Sequence, residues 1–183
     1  MPVEKVDFRD DLSKSASILL QGGVVLVNTE LGWCYIADRS NPLSVQKLVE
    51  LSTNTLHKDL ILILEHAHAL EQELVKVPPI AWDLLETSDN KLILSFDVHQ
   101  YRNFKNTPSL NIDGFAITND RFMQLLIQKC KKRLLAFIPH ALPVLEASEL
   151  LHVVAYNKHK ATKQLLVPII QFDKNECFKI LRK

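Results

Sequence analysis

Three side chains in one short turn have the chemistry to hold a small molecule. The stretch LLQGGVVLVNTELGWCYIAD, residues 19–38, leaves a helical tail through Gly22 and Gly23 and enters the apolar run 24–27. It then presents Asn28, Thr29 and Glu30, followed by Trp33. The Thr29 hydroxyl can bond a ligand amine or carboxylate, and Glu30 adds a carboxylate. The Trp33 indole offers an apolar wall or a face on which a planar ring stacks. The same residues also read as plain structure, with Thr29 a turn residue and Trp33 a core residue. Both readings stay open at this point.

Other chemistries find little support. The chain has only four glycines, Gly22, Gly23, Gly32 and Gly114. A phosphate cradle sets glycines after a strand and before a helix; Gly22-Gly23 has the opposite order. Seven histidines are scattered. On a helix, His66 and His68 would fall on different faces and share a metal poorly, so no metal site is expected. Cys34, Cys130 and Cys177 have no C-x-x-C spacing and read as reduced thiols. No G-x-S-x-G elbow is present, and no Cys stands beside a His. Net charge is +1, which gives no general mandate for nucleic acid. Basic residues do cluster locally at 129–133 (KCKKR) and 157–163 (NKHKATK), where solvated helix ends and loops are the ordinary explanation.

These residues need a scaffold, and 183 residues with 47% hydrophobic content supply a full core for one domain over 1–183. Helix signals fall at 9–21, from Asn41-Pro42 onward, at 66–77, 78–88 and 121–132. Asn119 or Asp120 caps the last of these. Strands are expected at 24–27, 32–38 (as hairpin partner or neighbour), 59–65, 91–99, 114–118 and 133–139. Residues 100–113 read as a polar loop. The tail reads as a short helix at 144–152 and strands at 153–156, 167–172 and 177–181. The class is α/β: a twisted mixed β-sheet flanked by helices. No apolar run is long enough to span a membrane, and the charged N-terminus does not read as a signal peptide, so a cytoplasmic location is expected.

The order of the first third resembles the YrdC-like family, whose active members are threonylcarbamoyl-AMP synthases. That family reads G-G-x-V-x-x-P-T-[DE]-T-x-Y-G-L-x-x-[DN]. Here Gly22, Gly23, Val25, Thr29, Glu30 and the aromatic Trp33 match. Asn28 replaces the proline, Leu31 the second threonine and Cys34 the glycine. NPLSVQKLVEL, KDLILIL, DGFAITNDRFMQLLIQ and IIQFDKNECFKILR resemble later family segments in the same order. The resemblance implies a YrdC-like fold. It also implies a cleft for ATP and Mg²⁺, L-threonine and bicarbonate, in the service of tRNA modification, and an association with double-stranded RNA.

The departures change the functional expectation. The family's K-x-R, which contacts nucleotide phosphates, falls on Ser52-Thr53-Asn54. Its arginine in G-V-R-V-P falls on Ala116, its S-x-N on Ile138-Pro139-His140, and its closing aspartate on Gln171. No lysine or arginine lies between Lys47 and Lys58. Forming an acyl adenylate from ATP needs cations to hold the triphosphate. Ser52, Asn54 and His140 can hydrogen-bond a ligand, but neutral bonds are roughly half as strong as charge-assisted ones. Losing several cations should cost several factors of ten, at about 1.4 kcal/mol each. Ser52 and Asn54 also read as a helix C-terminal cap, and His140 as a loop residue. The expectation is a divergent, non-catalytic member whose cleft keeps a site for a small molecule, nucleotide or RNA. One alternative is an active synthase with Lys58, Arg102 or Lys105 as substitute cations. A second is an RNA-binding module with a basic face joining 129–133 to 158–163. A third is a protein-interaction or self-association role. Composition selects no oligomeric state.

Overall fold

The Gly22-Gly23 pair stops the first helix. In the computed structural model, which describes residues 8–53, 58–89, 91–102, 112–143, 151–153 and 166–182, helix α1 is Arg9–Leu20. Gly22 takes φ +81°, and its N–H bonds Leu19 O at 3.1 Å while Gly23 N–H bonds Ile18 O at 2.8 Å. This is the paired C-terminal closure that favours glycine. A Cβ on Gly22 would also meet Asn41 Nδ2 at 2.9 Å.

The apolar runs then become strands: β1 (Val24–Thr29) and β2 (Gly32–Asp38), joined as an antiparallel hairpin. Helix α2 (Pro42–Thr53) starts where Asn41 Oδ1 accepts from Leu43 N–H. Next come β3 (Lys58–Leu64), a single helical turn α3 (Leu70–Glu73), α4 (Pro79–Thr87), β4 (Ile93–Phe96) and β5 (Gly114–Ile117). Helix α5 (Arg121–Cys130) is capped by Asp120, whose carboxylate accepts from Met123 N–H at 3.0 Å. Strands β6 (Leu134–Pro139), β7 (Leu151–Val153), β8 (Ile169–Phe172) and β9 (Phe178–Arg182) complete the described chain.

The strands form one mixed sheet ordered β7-β1-β2-β6-β3-β5-β4-β8-β9. β6 lies antiparallel between β2 and β3, while β3–β5, β4–β8 and β1–β7 are parallel. Alternate residues serve opposite faces. Val25, Val27, Cys34, Ile36, Ala136 and Ile138 join one core under α1 and α5. Leu26, Trp33, Tyr35, Leu135 and Phe137 join the other under α2, α3 and α4. Both faces are covered, so the strands read as continuous apolar runs. Gly114 is needed where β5 meets β4, because a Cβ there would lie 2.4 Å from Leu94 O.

The expected mixed α/β sheet is present, with three differences in detail. The helix expected at 66–77 is only a 3-10 turn (Ala67–Ala69) and α3. Leu74 turns extended at φ −110° and ψ 147°, bridges Tyr101, and Val75 N–H bonds Gln100 O at 2.7 Å. Backbone pairing with the segment after β4 wins there, and Pro78 disfavours helix at Val77. The strand expected at 91–99 shortens to β4 and a 3-10 turn (Val98–Gln100). Leu151 and His152, expected at the end of a helix, pair with β1 as β7. Residues 144–150, 154–156 and most of the 100–113 loop lie outside the described residues.

Candidate functional site

One end of the central strands gathers the sequence candidates. The β2–β6 register pairs Tyr35 with Phe137, so its extension sets Gly32 opposite His140. β3 pairs Asp59 with Ile138. The Thr29–Gly32 turn, His140 and Asp59 therefore lie at the same end of the sheet.

At the turn, Thr29 Oγ1 accepts from Leu31 N–H at 3.1 Å and donates to Gly32 O at 3.2 Å. The Cys34 thiol lies 3.6 Å away. The hydroxyl is thus engaged in holding the turn. Glu30 Oε1 accepts from Asn119 N–H at 2.7 Å, tying the hairpin to the start of α5. Its Oε2 is buried with no hydrogen-bond partner among the described residues. Trp33 is 0% exposed, inside the core on the α2 side, and presents no face to a ligand. Burial pushes the Cys34 thiol up to about 12, with Glu30 and Asp120 adding to the rise, so it is no nucleophile at neutral pH.

His140 belongs to a cluster the sequence reading missed. Asp59, 4% exposed, accepts from Arg182 at both oxygens, Nη1–Oδ1 at 3.1 Å and Nη2–Oδ2 at 2.6 Å. Arg182 Nε donates to Val167 O at 2.7 Å, and Nη2 also donates to Val167 O. Nη1 lies 2.9 Å from His140 Nε2, which is itself 3.1 Å from Asp59 Oδ2. A guanidinium has five N–H donors and no acceptor. Each of the five has an acceptor in this arrangement. The only sequence signals were an acidic residue opening an apolar strand, in KDLILIL, and the arginine of FKILR.

Arg182 sits on β9, four places from β3 in the sheet order. The ion pair therefore joins a strand at the end of the described order to one near its middle.

A sequence model of the Sua5/YciO/YrdC family, described as Telomere recombination, matches residues 17–138, more than half of the chain. The chain belongs to this family. It is 34% identical over 77 residues to the threonylcarbamoyl-AMP synthase of Saccharophagus degradans, a match covering 42% of this chain and 40% of that protein. It therefore spans well under two thirds of that relative's length. Among solved structures, E. coli YciO superposes with a TM-score of 0.65 at 13% identity, over 95% of this chain and 89% of that one. P. abyssi Sua5 complexed with L-threonine gives 0.65 at 15% identity, over 98% of this chain and 55% of that one. At those identities the structures speak for the fold.

Ala116 and Ile138, onto which the resemblance sets the family's arginine and serine, are both 0% exposed and lie in one apolar cluster. Ser52 lies in the last turn of α2, with only its backbone described, and Asn54 lies outside the described residues. Lys58 opens β3, its side chain undescribed, and Lys105 is likewise outside. Arg102 is elsewhere: its Nε donates to Glu71 O and Leu74 O, and its N–H to Glu73 O. Glu73 is buried and pairs with Arg133 at 3.0 Å and Arg39 at 3.5 Å, at the opposite end of β6. Arg102 therefore does not reach the His140 corner. Within 129–133, Lys132 contacts Asp38 at 3.8 Å, and 157–163 is not described. A cleft of about 480 Å³ lies between β4 and the β8–β9 turn, lined by residues such as Phe96, Asp97, Phe172, Asp173 and Phe178. Among the described candidates, Thr29, Glu30, Trp33 and His140 do not line it. Among the described residues no three His, Cys, Asp or Glu side chains group to hold a metal, and no helix is long and apolar enough to cross a membrane.

Proposed function

We propose that this chain is a divergent Sua5/YciO/YrdC protein that does not form an acyl adenylate. The full use of Arg182's donors by Asp59, His140 and Val167 carries this reading. A cation serves a triphosphate only if it can turn donors and net charge towards it. Arg182 is neutralised by the Asp59 carboxylate of β3, and no donor is left over. The replacements at Ser52, Thr53 and Asn54, and the apolar burial of Ala116 and Ile138, support the same reading. ATP and Mg²⁺ belong to the chain only if the family reaction survives.

The test is pyrophosphate release from ATP, Mg²⁺, L-threonine and bicarbonate, beside an active threonylcarbamoyl-AMP synthase. No release above the no-enzyme blank is expected. Threonine-dependent release refutes the proposal and favours substitute cations such as Lys58 or Lys105. The partnerless Glu30 Oε2 favours a second, compatible reading: the turn retains a small ligand with a donor group, without turning it over. The exposed Lys131, Lys132 and Arg133 support RNA binding as a further reading, which predicts salt-dependent retention on double-stranded RNA.

A further inference from the structure

We infer that Asp59 is a built-in counter-anion that keeps an oxyanion site shut, an autoinhibitory contact within the fold. The inference rests on the non-catalytic reading above and explains how the corner stays closed. Arg182 presents a planar fork whose spacing fits a carboxylate or a phosphate equally well. His140 Nε2 stands 2.9 Å from one arm of the fork. The fork is a recognition corner for a small oxyanion, and its occupant is the protein's own side chain, Asp59.

Asp59 holds that place by preorganisation. It sits on β3, paired on both sides within the sheet, and is almost fully buried. No rotational or translational freedom is lost when it meets the fork, whereas a free anion must lose both. The other two partners are only partly buried: the Arg182 and His140 side chains are 19% and 24% exposed. A small oxyanion can therefore reach them once the carboxylate charge is gone.

The experiment is thermal unfolding of the wild type, Asp59→Asn, and Asp59→Asn combined with Arg182→Met, each with sodium pyrophosphate or with sodium chloride at equal ionic strength. Asp59→Asn keeps the side-chain shape and removes the charge. It is expected to melt below the wild type and to gain on the order of 5 °C in saturating pyrophosphate over the chloride control. The wild type and the double variant are expected to gain less than about a quarter of that. Equal gains in wild type and Asp59→Asn, no gain in Asp59→Asn, or a gain that survives loss of Arg182 would each overturn the inference. If Asp59→Asn does not fold in chloride, folding must return in pyrophosphate; failure there overturns it too. Threonine-dependent turnover by the wild type would instead sink the non-catalytic reading and leave this outcome to be read separately.

Discussion

Replacing Arg182 by methionine isolates what the ion pair does for the fold. The substitution leaves Asp59 buried, at 4% exposure, without its bidentate partner, and it also frees Val167 O. Removing one member of a buried pair costs about 3–5 kcal/mol, because the remaining charge stays desolvated. The Arg182 side chain is 19% exposed, so water reaches part of the gap and the lower end, about 3 kcal/mol, is expected. For a chain of this size that is about 6–12 °C in Tm. Asp59→Leu should cost about 2–3 kcal/mol, since the orphaned guanidinium is nearer the surface. Both changes together replace a charge pair with two apolar side chains, which is close to neutral, about 0–1 kcal/mol. The coupling between the two sites is then about 4–6 kcal/mol, well outside the roughly 0.5 kcal/mol within which independent sites add. Urea denaturation of the four proteins, with the slope m unchanged, measures it. Additivity within that margin would show that Asp59 and Arg182 do not form the pair described, and the anion-site inference would fall with it.

Two further outcomes follow from the fold. Gly114→Ala forces a Cβ to within 2.4 Å of Leu94 O, so β4 and β5 must separate. A loss of about 3 kcal/mol or more, or failure to fold, is expected by the same denaturation assay, and a change below about 0.5 kcal/mol contradicts the β4–β5 approach. Burial raises the Cys34 thiol to about 12 and the Cys130 thiol to about 11 from an ordinary 9.0, while Cys177 is exposed. The unfolded chain therefore releases these two protons first as pH rises. The stability they contribute is intact below about pH 9 and is lost between there and about pH 12. At pH 8 a thiol reagent should modify one cysteine quickly, and Cys177→Ser should abolish that phase. Rapid labelling of Cys34 in the folded protein would contradict its burial.

The central sheet was legible because burial on both faces writes itself as uninterrupted apolar runs. VVLV, GWCYIAD, DLILILE and RLLAFIP each became a strand, and the Gly22-Gly23 stop and the caps at Asn41 and Asp120 fell where expected. The misread segments are those decided by long-range backbone pairing. HAHALEQELVKV has good helix formers, yet Leu74 and Val75 bond the backbone at Tyr101 and Gln100. Leu151 and His152 join β1, more than a hundred residues earlier in the chain. Local propensity carries no information on such partners.

The site was legible where neighbours in sequence are neighbours in space, and only there. Thr29, Glu30 and Trp33 share one hairpin, but their side chains turn out to serve the turn, the start of α5 and the core. His140 was found through its place in the S-x-N motif. Its partners could not be, because Asp59 and Arg182 stand 123 residues apart, on strands four places from each other in the sheet. Their pairing also explains why counting lost cations understates the change. A cleft that keeps unpaired cations for a ligand holds them at the cost of mutual repulsion while empty. Here apolar residues stand at two positions the resemblance assigns to polar motif residues, Ala116 and Ile138, and Arg182 faces a carboxylate supplied by β3. Each change relieves charge in the empty state, and each removes attraction for a phosphate. On the proposed non-catalytic reading, stabilising the unliganded fold and losing the anion are, at this corner, one physical event.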